Sequence, residues 1–232
     1  MQLLLATGNA HKLEELRRIV GAAGLEIEVL GLDDVAPYVE PAENGATFED
    51  NALIKARTGH SVSGLPTLAD DSGIEVDVLN KMPGVRSARW AGVGADDAAN
   101  LDLLLRQVAD VEDPRRTARF VCAVAFVTDD WSKGGGPKET VLRRAVEGRL
   151  APAPRGTNGF GYDPIFIPDG YDITTAEMTA EQKDAISHRG QALRAILPTL
   201  ESEIDNDFST GISGQALHMI LPTRESEIGS DF

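Results

Sequence analysis

The residues best suited to chemistry in this chain are two adjacent carboxylates, Asp70 and Asp71, followed at once by the Ser72 hydroxyl and Gly73. Side-by-side acids repel, so a fold that keeps both needs a positive partner close by. Mg²⁺ suits such a pair, because it takes one or two carboxylates and leaves its other positions to water and phosphate oxygens. Asp, Asp, Ser and Gly are also turn formers, which is the alternative reading of this stretch on its own. Cations able to meet an anion recur along the chain. Lys12 closes the run Thr7-Gly8-Asn9-Ala10-His11, Lys55 stands four residues after Asn51, Arg86 and Arg89 precede Trp90, and Lys183 leads to His188-Arg189. Glu40 and Glu43 are the loop acids that could reach a metal, a solvated loop carboxylate being the alternative for each. Phe160, Gly161, Tyr162 and Asp163 set rings among glycines, which suits stacking on a planar base, with core packing as the alternative.

These groups must be held by regular elements. Leu3-Leu4-Leu5 reads as a buried strand, and Leu13, Leu16, Val20 and Ala23 recur at helical spacing until Gly24 stops the helix. Thr7 to Lys12 therefore occupy a strand-to-helix turn, where free N–H groups and the helix dipole favour an anion. The spacing matches neither a Walker A loop nor a dinucleotide fingerprint. Thr47 is the predicted N-cap of a helix running roughly to Gly59, with Asn51 and Lys55 on one face. Thr67 to Ala69 is predicted to end in the acids at the lip of a strand, and 74–79 to continue as a half-buried strand by its alternation. Met82 to Val85 is a predicted turn. Asp96 or Asp97 caps a helix carrying Leu101, Leu104 and Leu105. Strands at 118–127 and 139–146, joined by a glycine-rich hairpin, predict a mixed sheet. A strand at 165–167, a short helix at 181–185 and a helix from His188 to Leu200 complete the series.

The chain has 232 residues, 42% of them hydrophobic, and a formal charge of −15. That charge argues against nucleic acid or an anionic membrane as partner, and permits a small anion gathered by a local cationic cluster. Cys122 lies in an apolar run as a predicted core thiol. Met1 to Ala6 lacks the basic start of a signal peptide, so a cytoplasmic location is expected. Near the end, residues 190–208 match 214–232 at 14 of 19 positions, and the second copy lacks a His-Arg pair. The expectation is one functional domain over 1–208 and a partial, non-functional duplicate of its last helix over 209–232.

The motifs Thr7-Gly8-Asn9-x-x-Lys12, Thr47-Phe48-x-x-Asn51-Ala52-x-x-Lys55-Ala56 and Ala69-Asp70-Asp71-Ser72-Gly73 occur in that order. They are followed by Pro83-Gly84-Val85-x-Ser87-Ala88-Arg89, Phe160-Gly161-Tyr162-Asp163-Pro164 and Ser187-His188-Arg189-Gly190. In this the chain resembles the inosine/xanthosine triphosphate pyrophosphatases from Leu3 to about Leu200. The resemblance implies an α/β fold with an elongated, long, twisted mixed β-sheet flanked by helices, two lobes with a central cleft, and a homodimer. It implies Mg²⁺-dependent hydrolysis of ITP, dITP or XTP to the monophosphate and pyrophosphate, which keeps these nucleotides out of DNA and RNA. Carried over by position, Thr7, Gly8, Asn9, Ala10, His11, Lys12 and Lys55 would hold phosphates, and Ser72 would touch substrate. Asp71 would serve as catalytic base and, with Glu43, as metal ligand, Asp70 being a further acid beside it. Phe160, Gly161, Tyr162, Asp163, Lys183, His188 and Arg189 would form the base pocket. Asn80-Lys81-Met82 departs from the family pattern, which commonly has glycines there. A pyrimidine-directed pyrophosphatase and a nucleotide sensor without turnover are the rival readings.

Overall fold

The computed structural model describes residues 1–130 and 136–210. The hairpin glycines Gly134 and Gly135 and the second repeat copy lie outside the described residues. The chain divides into two units, Met1–Leu197 and Pro198–Phe232. The first holds a mixed sheet and its flanking helices, and the second carries the end of the last helix, which runs to Thr210.

In chain order the elements are β1 (Gln2–Leu5), α1 (Ala10–Ala22), β2 (Glu28–Leu30), α2 (Phe48–Ser63), β3 (Thr67–Val76) and β4 (Met82–Pro83). Then come α3 (Asp97–Gln107), β5 (Thr117–Asp129), β6 (Pro137–Leu150), β7 (Phe166–Pro168), α4 (Ala180–Ile186) and α5 (His188–Thr210). The sheet order is β2-β1-β3-β5-β6-β7, with β4 added on β3. β1 pairs parallel with β2 and β3, and the remaining pairs are antiparallel. Local signals set the helix starts. Asn9 caps α1 through the His11 N–H, Thr47 and Asp50 form a capping box on α2, and Asp96 caps α3.

β3 corrects two expectations. Asp70, Asp71, Ser72 and Gly73 lie in the middle of one ten-residue strand, neither at its lip nor in a turn. Their backbone pairs without interruption against β5, from Thr67 opposite Val127 to Val76 opposite Ala118. A ladder of that length outweighs the local preference of Asp and Ser for turns. Nor does β3 face water on one side. α2 packs Phe48, Ala52 and Ala56 against Ala69 and the Val121–Val127 stretch of β5. On the other face, Leu101 and Leu104 of α3 meet Ile74, Val76 and Phe166. Glu75, on the polar side of the alternation that predicts a half-buried strand, is therefore buried, and it is held by Arg143 at 3.0 Å and Arg119 at 3.4 Å.

Past Val76 the chain makes a single 3₁₀ turn at Asp77–Leu79, and Asn80 and Lys81 then take left-handed φ angles of 52° and 66°. This is the conformation that glycine adopts without steric penalty, which gives the departure at these positions a physical meaning.

Candidate active site

Successive side chains of a strand point to opposite faces of its sheet. The two neighbouring acids of β3 are thus divided, and each organises its own cluster. β1 pairs with β3 only as far as Leu68, and β4 takes up the same edge again at Glu75. Ala69 to Ile74 lie in the gap between those strands, so groups from both faces can meet around that edge.

On one face, a single Asp70 oxygen, Oδ2, accepts from Lys12 Nζ at 2.9 Å and from Arg189 Nε at 3.2 Å. Arg189 also donates to Ser72 Oγ at 3.0 Å and lies 4.0 Å from Glu15 of α1. Burial alone would push the Asp70 carboxyl up, but the charges of Lys12, Arg189 and Lys55 hold it well below the usual carboxylate range. Through this one oxygen Asp70 anchors two cations.

On the other face, Asp71 Oδ2 accepts from the buried Asn51 amide at 2.9 Å, and Lys55 Nζ stands 3.6 Å from Asp71 Oδ1 and 2.8 Å from Glu43 Oε1. Arg89 closes the group, donating to the Glu43 carbonyl at 3.0 Å with its other arm 3.6 Å from the Glu43 carboxylate. Asn51 links the acids structurally. Its Oδ1 accepts the Gly45 N–H at 2.8 Å, two residues after Glu43. A Cβ at Gly45 would lie 2.7 Å from that same Oδ1, so the loop approaches only as glycine. Burial, opposed by Lys55 and Asn51 and reinforced by Glu43 and Asp70, raises the Asp71 carboxyl. Burial works against the Lys55 ammonium, yet Asp71, Asp70 and Glu43 keep it firmly charged.

Each face thus sets two cations against two carboxylates: Lys12 and Arg189 with Asp70 and Glu15, and Lys55 and Arg89 with Asp71 and Glu43. A polyphosphate entering so balanced a cluster needs counter-charge brought with it. Asp71 and Glu43 already converge on one positive group, and a pair of carboxylates is the donor set that Mg²⁺ uses together with phosphate oxygens. The residues fit that ion. Among the described residues no group of three or more His, Cys, Asp or Glu side chains gathers as an all-protein metal cage.

The remaining predicted residues divide. His188 stacks on Phe120 with ring centroids 5.0 Å apart. Burial, helped by the charges of Arg189 and Lys183, pulls its imidazole down to about 3, so it is neutral near pH 7. Lys183 pairs with Asp163 and lies 5.2 Å from the centre of the Phe160 ring, which is largely exposed. That geometry leaves Phe160 able to stack on a ligand. Asp163 serves the loop from inside: it accepts the Phe160 N–H at 2.8 Å and the Thr175 hydroxyl at 2.8 Å. Tyr162 turns the other way. Its side chain is buried in the core and its hydroxyl donates to the Ser87 carbonyl at 2.8 Å, whereas the Phe160 ring is exposed. Gly161 donates its N–H to Asp97 at 2.8 Å.

The turn before α1 also offers fewer donors than expected. The His11 N–H is taken by Asn9 and the Asn9 N–H by Thr7. Thr7 is half-buried, whereas Gly8, Asn9, Ala10 and His11 are exposed along the turn that leads to Lys12. Asn51, Arg89 and Gly45 were missed as site residues. The four-residue spacing of Asn51 and Lys55 is the signal for the first, the Arg86/Arg89 cation pair before Trp90 is the signal for the second, and nothing local marks Gly45. A hollow of about 410 Å³ between α1 and β2, lined by Val20, Leu25 and Val29 with Arg17 and Asp34, lies apart from this cluster.

A model of the Ham1 family matches residues 3–199. The chain is 55% identical over 205 residues to a dITP/XTP pyrophosphatase of Nocardia farcinica, spanning 88% of this chain and 97% of that one. Among solved structures, the nucleoside-triphosphatase / dITP/XTP pyrophosphatase of Mycobacterium abscessus is similar with a TM-score of 0.72 at 53% identity, covering 86% of this chain and 100% of that chain. The Ham1 protein of Staphylococcus aureus gives a TM-score of 0.78 at 34% identity, covering 88% and 100%.

Proposed function

We propose, for a chain that belongs to the Ham1 family, that Asp71 activates water in a nucleoside-triphosphate pyrophosphatase acting on the deaminated purines ITP, dITP and XTP. The enzyme hydrolyses phosphoric anhydrides and its substrate is a nucleoside triphosphate. The observation that carries the residue assignment is the division of Asp70 and Asp71. One acid anchors cations, and the other stands beside Lys55, Asn51 and Glu43.

In this reading Asp71 and Glu43 would hold Mg²⁺, which would supply charge neutralisation of the polyphosphate oxygens and a sharper electrophile. Lys12 and Lys55 position the phosphates. Asp71 orients a water in line with the α-phosphorus and takes its proton. The water oxygen bonds to that phosphorus, the bond to the bridging oxygen breaks, and pyrophosphate leaves with its charge spread over the lysines. Phe160 stacks on the base, while Arg189 and His188 supply donors toward a six-carbonyl. Adenine presents an amino group there and would strand those donors, a mismatch of roughly 10⁴-fold where the site is dry. The protein works as a cytoplasmic homodimer, and no described helix is long and apolar enough to cross a membrane.

The test is pyrophosphate release with Mg²⁺ across ITP, XTP, dITP, ATP, GTP and modified pyrimidine triphosphates. Release from the first three alone is expected. Preference for the pyrimidines, or tight binding of ITP without release, would overturn the reading.

A further inference from the structure

We infer that Asp70 is a positioning residue coupling the two ends of the site, so that Lys12, on the phosphate side, helps to set base discrimination. The inference rests on the reading above, in which Lys12 meets phosphate and Arg189 meets the base. Its basis is one atom. Oδ2 of Asp70 receives Lys12 Nζ at 2.9 Å and Arg189 Nε at 3.2 Å, and the side chain is only 3% exposed. The carboxylate stands in the middle of β3, where the backbone is fixed by its pairing with β5. Lys12 comes from the first turn of α1 and Arg189 from the first turn of α5, so this oxygen is the shared contact between those helix starts.

Two charged donors on one acceptor hold a carboxylate in a single orientation. Arg189 is in turn fixed at a second point, through Ser72 Oγ at 3.0 Å. Its guanidinium is planar and rigid, so any movement of Oδ2 turns the whole group. With Lys12 removed, the carboxylate follows Arg189 alone, and the guanidinium loses the set position that separates a six-carbonyl from a six-amino group. Lys55 provides the contrast. It works on the other face of β3 against Asp71 and Glu43, and shares no acceptor with Arg189.

The experiment measures kcat/KM for ITP and for ATP in the wild type, Lys12→Met, Lys55→Met, Asp70→Asn and the Lys12→Met/Asp70→Asn double variant. Both lysine variants lose turnover. In Lys12→Met the ITP:ATP ratio is expected to fall at least about threefold, the size typical of directly contacting groups, whereas in the Asp70→Asn background, where the shared acceptor is already lost, Lys12→Met is expected to cause no further fall. In Lys55→Met the ratio holds. An unchanged ratio in Lys12→Met overturns the coupling even if ITP hydrolysis stands. If Asp70→Asn fails to fold, the two lysine variants still decide the matter. A wild type that hydrolyses ITP and ATP alike overturns the base-selective reading first, and this inference with it.

Discussion

Asp70 and Asp71 are chemically identical neighbours with opposite fates, because one strand position separates two faces of a sheet. Asp71→Asn keeps the Asn51 contact and the shape but removes the proton acceptor. It should lower kcat by about a hundred- to ten-thousandfold with an unchanged circular dichroism spectrum. Retained turnover would remove Asp71 from the chemistry. His188 gives a stability test. Its folded pKa of about 3 lies below the unfolded value near 6.5, so the unfolded chain binds a proton that the folded one refuses. Stability is complete above about pH 6.5 and is lost as pH falls below it. Denaturant titrations should show His188→Gln losing up to about 1 kcal/mol less than wild type between pH 7 and 5.5. The types and order of the reactive residues were legible in the sequence, but their partners were not. Phe160 and Tyr162 show why: a glycine-rich loop has no period, so nothing local says which ring faces out and which enters the core.

At the level of elements, what the sequence disclosed was local. Thr47 with Asp50, Asn9 and Asp96 sit where capping chemistry demands, and two long neighbouring strands do form the antiparallel ribbon of a mixed sheet. The strand state of Asp70 to Gly73 depends on β5, some fifty residues away, and no window around the acids contains that partner. The same holds for Glu75, whose alternation suggests solvent until Arg119 and Arg143 are brought across from β5 and β6. The turn that leads into β4 carries a cost of its own. Exposed Lys81 sits at φ 66°, a region disfavoured for residues with a Cβ. Lys81→Gly should therefore raise stability by about 0.5 kcal/mol after the larger unfolded-state entropy of glycine is counted. A drop in the denaturation midpoint would show that Lys81 contributes contacts beyond its backbone.

For the whole molecule, a net charge of −15 sits around a site whose two faces each balance cations against acids. A polyanionic substrate is drawn by local geometry and accompanying counter-ions, not by the overall field. Activity should therefore depend strongly on the divalent cation. The family match ends at residue 199, and the second repeat copy lacks the His-Arg pair. A chain ending at Phe208 is expected to keep its kcat/KM for ITP within about twofold, within ordinary non-additivity for distant changes. A truncated chain that folds yet loses turnover would give the tail a role in catalysis. The most direct test of the account is hydrolysis of ITP in heavy-oxygen water, followed by mass spectrometry of the products. In-line attack at the α-phosphorus, with the water held by Asp71, predicts one heavy oxygen in the inosine monophosphate and none in the pyrophosphate. Label in the pyrophosphate, or release of single phosphates, would contradict it.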